Sequence, residues 1–378
     1  AVALMVTAGL FVRSLANVRN VDLEFDPQRV LSVGIDWAVG SDSTRYGAEL
    51  QTVRARVASL PEYEHAALAI GSPFGGYWNF SLKVPGHDSL PTLAGPWINA
   101  VTPDYFATVG TRLVRGRLFA AGEGAGTEPV TVVGETMARA LWPDEDPLGH
   151  CMLIGSGANT PCSRVVGVVR DAKQSALREP PQMQYYVPLG QERSPVSMTS
   201  VIQLLVRPRN NATDAIASLR QLVVRDLPDA RFVRIAVLQD RIDPLIRPWR
   251  IGAELFGLFG VLALIVAGTG LYSVVAYITA QRTHEFGVRI ALGARGRHVL
   301  RVVMSDSARA VVIGIPIGVA GPLLAARWLN PLLFDESVND FAVIGAVGIL
   351  VAIVTLVASA GPARCAMRVD PLMALRVE

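Results

Sequence analysis

Lysine is almost missing from this 378-residue chain: Lys83 and Lys173 are the only two, and the rest of its 35 Lys and Arg residues are arginine. That skew reflects genome composition rather than chemistry. The formal net charge is +3, too small to call for a polyanionic partner. No basic patch is interleaved with aromatics, so nothing points to nucleic acid. Catalytic signatures are missing as well. There is no G-x-x-x-x-G-K-[ST] run, so the chain does not cradle ATP by itself. Neither a G-x-S-x-G elbow nor an H-E-x-x-H helix occurs. His65, His87, His150, His284 and His298 are scattered. With no set of nucleophile, base and stabiliser, the expectation is a non-enzyme that needs no cofactor and holds no metal. What the chain has in plenty is apolar surface. It is 51% hydrophobic and 18% charged. That is too apolar for an ordinary soluble enzyme and too charged for a protein buried wholly in lipid, so a soluble domain joined to membrane spans fits best.

Long apolar runs cover 251–279, 308–329 and 341–360, each sufficient for the roughly 20 residues a span needs. None holds an acid, Lys or Arg near its centre, which argues against a proton- or ion-coupled transporter. Gly257, Gly260, Gly268 and Gly270 in the first, and Gly314, Gly318 and Gly321 in the second, permit close helix packing or a hinge. Pro316 and Pro322 should bend the second run. Residues 1–12 are apolar and end at Arg13. A run of about twelve is too short to span, and without a basic n-region or cleavage site it fits a signal peptide poorly. It reads as the outer half of a span, 1–13. The chain is thus expected to be a helical transmembrane bundle of four spans, the first truncated, with a separate α+β domain at 30–243.

Between the first two long runs lies 281–303, where Arg282, Arg289, Arg295, Arg297 and Arg301 face the single acid Glu285. Phe286 and Ile290 share one helical face, as do Val288 and Leu292, and Glu285 stands one turn before Arg289. Gly293 allows a C-cap, and a new helix starts around Arg295–Arg297. A basic loop between spans faces the cytoplasm. The loop after the second run is acidic, with Asp335, Glu336 and Asp340, and the C-terminus is basic, with Arg364, Arg368 and Arg376. The alternation puts the 281–303 loop and the C-terminus inside and the large domain outside; Arg13, Arg19, Arg247 and Arg250 run against it. The basic helix either anchors topology or docks on something cytoplasmic.

The stretch Glu285-Phe286-Gly287-Val288-Arg289-Ile290-Ala291-Leu292-Gly293-Ala294 resembles the cytoplasmic signature of FtsX-like permeases, the membrane subunits of MacB-type ABC systems. The closing stretch 361–378, small and basic residues followed by Asp370-Pro371 and Ala374-Leu375, resembles the end of the same family. So do Gly9 to Leu15 at the start, and four motifs in the middle resemble the MacB-type periplasmic core: 101–106 with Asp104-Tyr105-Phe106, Gly116-Arg117-Leu118-Phe119, 165–171, and Tyr186-Val187-Pro188-Leu189. The resemblance implies a permease domain at 251–378 and a coupling loop at 281–303. Glu285, Phe286, Gly287, Arg289, Ile290, Leu292 and Gly293 would dock on an ABC ATPase subunit. It also implies a bacterial inner-membrane, multi-pass protein with its large domain extracytoplasmic. The lipid bilayer and a second permease copy or half would be its other partners, and the chain would be one half of a longer, duplicated permease.

The 30–243 domain reads in detail as follows. Leu31, Val33, Ile35 and Trp37 alternate as a strand. Ser43 can cap a helix carrying Leu50, Val53, Val57 and Leu60 on one face, stopped by Pro61. A strand at 66–70 follows. A similar strand, helix and strand return at 201–206, 211–227 and 232–237. These are split ferredoxin-like βαβ halves, with a β-rich insertion at about 95–189 between them. Cys151 and Cys162 flank a turn-rich segment in the outer domain, where disulfides persist. A hairpin disulfide between them is expected, ahead of two free thiols and, last, a metal site. Asp104, Asp171 and Asp240 sit near element ends, where an aspartate is more often structural than catalytic. Set against the ABC reading is an ATPase-independent membrane scaffold or signalling protein whose outer domain binds a ligand or an envelope component. A membrane-anchored enzyme is the third and weakest class.

Overall fold

The computed structural model describes the chain except residues 38–42, 77, 88, 91–92, 156–158, 193–200, 283–284, 286–295, 336–338 and 367–378. It separates into two compact units, Val21–Leu245 and Ala1–Asn20 with Ile246–Glu378.

The first unit is built on one mixed sheet. Strand β1 (Leu31–Trp37) leads to helix α2 (Ser43–Ser59) and β2 (Tyr63–Ile70). Late in the chain, β10 (Gln203–Pro208), α5 (Ala212–Asp226) and β11 (Ala230–Val237) repeat the pattern. β1 runs antiparallel to both β10 and β11, and β10 antiparallel to β2. So β1 and β2 are parallel with β10 between them, and β10 and β11 are parallel with β1 between them. Two split βαβ units interleave, giving the order β11-β1-β10-β2. The hydrophobic pattern dictates the packing: Leu50, Val53 and Val57 of α2, Leu219 and Val223 of α5, and Leu31, Val33, Leu204 and Val206 of the strands are buried in one core. Asn211 starts α5 by accepting the Thr213 N–H at 3.2 Å, a side-chain N-cap.

The insertion does not form a separate sheet. Its strands are β3 (Leu82–Lys83), β4 (Ala94–Val101), β5 (Leu113–Gly116), β6 (Val130–Gly134), β7 (Cys151–Ile154), β8 (Cys162–Val169) and β9 (Gln182–Pro188). They continue the first four in the order β2-β4-β9-β6-β8-β7-β3, with β5 on β8. At the joint β2 meets β4 through Ala69↔Val101 and Ile70↔Ala100, and the Thr102 N–H donates to the Leu68 carbonyl at 3.0 Å. Short helices α3 (Tyr105–Val109) and α4 (Glu135–Leu141) belong to this part.

The second unit is helical. Its elements are α1 (Val2–Arg19), most of α6 (Gln239–Gln281), α7 (Gly296–Leu324), the short α8 (Ala326–Leu329) and α9 (Phe341–Ala366). Among the described residues three helices are long and apolar enough to cross a membrane, Val2–Arg19, Gln239–Gln281 and Phe341–Pro362; a bent pair, Val311–Leu324 with Ala326–Leu332, makes a fourth if taken as one span. Leu255, Leu258, Val266, Val312, Ile317, Ile353 and Val357 are exposed on these helices, as lipid-facing residues should be.

Three boundaries differ from the sequence reading. Helix α1 does not stop at Arg13 but continues to Arg19, because its polar last turns find partners, described below. Helix α6 begins at Gln239, well ahead of the apolar run at 251, and the boundary between the units falls inside it. Ile242 and Ile246, one turn apart, are both buried and extend its apolar face forward. The second span is not one helix over 308–329: it bends by 51° beyond Leu324. Pro316 and Pro322 lie inside α7 ahead of that bend.

Candidate transmission site

Of the residues expected to dock on an ATPase, Glu285 alone is among those described, exposed beyond the end of α6; Phe286, Gly287, Arg289, Ile290, Leu292 and Gly293 lie outside the described residues, as do residues 367–378 of the closing motif. The described part of the machinery is at the other end of the bundle, where α1 finishes. Ser14, fully buried, accepts the Phe334 N–H at 3.1 Å. Asn17 donates to the Phe334 carbonyl at 3.5 Å. The Trp249 indole N–H of α6 donates to the Leu332 carbonyl at 3.0 Å, and its ring meets Phe334 edge-on at 5.5 Å. Arg13 is ion-paired with Asp340, whose carboxylate also accepts the Ala342 N–H at 2.9 Å and so caps α9. By charge alone Arg13 runs against the positive-inside pattern; Asp340 neutralises it. One turn deeper, Phe11 of α1 stacks on Phe256 of α6 at 5.0 Å. Leu332 and Phe334 thus bind α1 and α6 together through backbone groups that would otherwise be orphaned.

In the outer unit, the motifs that resemble the periplasmic core converge. Tyr105 and Phe106 pack on Tyr186 at 5.9 and 5.1 Å, and Phe106 on Phe119 at 5.8 Å. Arg117 N–H bonds the Val166 carbonyl at 2.9 Å. A Cβ on Gly116 would stand 2.3 Å from that carbonyl, and one on Gly167 would stand 2.1 Å from the Arg117 carbonyl. The two strands approach too closely for any side chain there. These motifs are a packing core, and burial pushes the Tyr105, Tyr185 and Tyr186 phenols up.

Two of the aspartates make contacts at element ends. Asp171 accepts the Thr136 N–H at 2.8 Å and the Gln184 side chain at 3.2 Å, so it caps α4 from across the chain; the N-cap position itself is Gly134. Asp104 precedes α3 and pairs with Arg54 at 3.1 Å. Both line a cleft of about 240 Å³ with Gln51, Thr102 and Glu123. Thr102 Oγ1 is engaged by the Leu68 backbone at 3.0 Å, and hydrogen bonds from Arg117 hold the Glu123 carboxyl below its ordinary value. His150 stacks on Trp142 and contacts Glu145 at 3.2 Å. Cys151 and Cys162, diagonal neighbours across β7 and β8, have Cα atoms 5.3 Å apart and are joined as a disulfide, within the usual bridging distance.

Comparison with known proteins completes the picture. The MacB-like periplasmic core domain model matches residues 1–222, and the FtsX-like permease C-terminal model matches 257–371. The chain belongs to the MacB/FtsX family of permeases. Among curated relatives of this permease, the Macrolide export ATP-binding/permease protein MacB 2 of Aeromonas hydrophila is 27% identical over 357 residues, 91% of this chain and 51% of the relative. The Pyoverdine export ATP-binding/permease protein PvdT of Pseudomonas syringae pv. tomato is 26% identical over 272 residues, 70% of this chain and 40% of the relative. The chain spans about half the length of the curated relatives it matches. Among solved structures, the periplasmic region of MacB from Actinobacillus actinomycetemcomitans covers 62% of the permease at 18% identity, with a TM-score of 0.41.

Two features were not visible in the sequence reading. Ser14, Asn17 and Trp249 were not singled out, although a polar pair in the last turns of an apolar helix signals a partnered helix end. Arg241, the other omission, is taken up below.

Proposed function

We propose that this permease couples ATP hydrolysis by a separate ABC ATPase to work outside the membrane: export, lipoprotein release or activation of a partner. The observation that supports this reading most is that one chain carries a periplasmic-core match and an FtsX-like match in sequence, with α6 running unbroken from one region into the other. In this reading the 281–303 loop is cytoplasmic, the bacterial inner membrane holds the spans, and the outer domain is extracytoplasmic. A partner ATPase closes on ATP and pushes the helix at 286–292. Helices α1 and α6, clasped by Leu332 and Phe334, carry the displacement outward. A second copy or half supplies the symmetry that a pair of ATPase subunits requires.

The test is Arg289→Glu in the intact gene. Charge reversal at a docking surface is expected to weaken ATPase association by about tenfold, with membrane insertion and melting temperature unchanged. Equal association with and without the substitution contradicts the coupling role, and so does a protein that no longer inserts.

A further inference from the structure

Arg241 stands in the first turn of α6 and has no carboxylate within ion-pairing distance among the described residues. Its guanidinium instead donates to Ser32 Oγ of β1 at 2.6 Å and to Gln203 Oε1 of β10 at 3.2 Å. Ser72, fully buried, donates to the same Gln203 oxygen at 3.1 Å, and Gln203 donates to the Gly75 carbonyl at 3.2 Å. A Cβ on Gly75 would lie 2.3 Å from Arg241 Nη1, so the guanidinium lies directly against that backbone. Arg241 is half-buried, and among the described residues the groups its guanidinium donates to are neutral.

The loop it grips, 71–76, is held in an unusual shape. Gly71, Phe74 and Gly76 have φ of 82, 55 and 112°, and the left-handed value at Phe74 costs about 1 kcal/mol or more for a non-glycine residue. The loop leaves β2 where the two parts of the sheet meet, β2 against β4. From it the bonding continues into the insertion. Phe74 N–H donates to the Gln174 carbonyl at 2.8 Å, and Gln174 Nε2 to Gln184 Oε1 at 2.6 Å. Gln184 Nε2 donates to Asp171 at 3.2 Å, and Asp171 caps α4. Gln174 and Gln184 are 2% and 1% exposed, so the series is shielded from water, where each bond counts for most.

We propose that Arg241 is a positioning residue that fastens the first turn of α6 to the inserted subdomain, through the 71–76 loop and the Gln174–Gln184–Asp171 series. The proposal rests on the reading of α6 as the element that carries motion. It makes the insertion, and not the interleaved βαβ part alone, the place where displacement arrives.

Hydrogen–deuterium exchange on the full chain in detergent, without nucleotide, tests the linkage. Arg241→Met is expected to speed exchange about tenfold in 72–76 and also in 172–184 and 135–141, leaving α2 and α5 unchanged. Arg241→Lys, which keeps the charge but reaches fewer acceptors, gives a smaller rise in the same segments. A rise confined to 72–76 and 238–245 overturns the linkage, as does no rise or a uniform rise through the domain in both variants. A second arm adds MgATP to the protein purified with its associated ATPase. If ATP changes exchange nowhere in the wild type, the ABC reading fails while the first arm still decides the linkage. If ATP changes 172–184 equally in wild type and Arg241→Met, Arg241 is not the route and the proposal is overturned.

Discussion

At the scale of single residues, position in the chain predicts role better than chemical type does. Asp104, Asp171 and Asp240 read as turn or end residues in the sequence. Asp104 does precede α3, and Asp240 lies in the first turn of α6. Asp171 goes further, because it caps a helix 35 residues away, which no local pattern announces. Asp171→Ala should therefore cost about 1–2 kcal/mol through the lost cap, read as a lower urea midpoint with an unchanged slope; an unchanged midpoint would show that Thr136 finds another acceptor. The cysteines were legible as a hairpin disulfide, ahead of free thiols, from spacing and compartment. With a sequence separation of 11, reducing the bond should lower stability by about 3 kcal/mol by the chain-entropy account. Thiol labelling of unfolded protein taken from the membrane checks it: labelling of Cys151 and Cys162 before any reductant would contradict the bond. Arg241 was illegible because its partner Ser32 is 209 residues away.

At the scale of elements, the spans were legible because bilayer thickness imposes a length and a composition on them. Their ends were not, because polar residues such as Ser14 and Asn17 end a helix in one setting and bind a neighbouring segment in another. The glycines divide in the same way. A Cβ on Gly318 would stand 2.4 Å from Val2, so that glycine does allow a close crossing, whereas Gly257, Gly270 and Gly314 face open space. Two glycines that drew no notice are tighter than most: a Cβ on Gly252 would stand 2.5 Å from the Phe11 ring, and one on Gly9 would stand 2.6 Å from Val343. Gly252→Ala should force the Phe11–Phe256 stack apart at a cost of about 1–3 kcal/mol, while Gly257→Ala should be neutral or stabilising because alanine favours the helix. Thermal unfolding in detergent distinguishes them, and equal effects would refute the assigned crossing of α1 and α6.

At the scale of the whole molecule, the two-part plan was legible from hydropathy and from the return of a strand, helix and strand. The single continuous sheet was not. Strand neighbours such as β1 with β10 and β4 with β9 are far apart in sequence, and a β-rich insertion reads alike whether it folds apart or extends an existing sheet. Family membership rests on both halves of the chain; the coupling role rests on the 285–293 stretch. The most direct measurement is affinity purification of the intact protein in mild detergent, with mass spectrometry of what accompanies it, for wild type and for a variant carrying Phe286→Asp and Arg289→Glu. The account predicts an ABC ATPase subunit recovered with the wild type and lost from the folded, inserted variant. No ATPase with either protein, even after crosslinking, or the same ATPase with both, would contradict it.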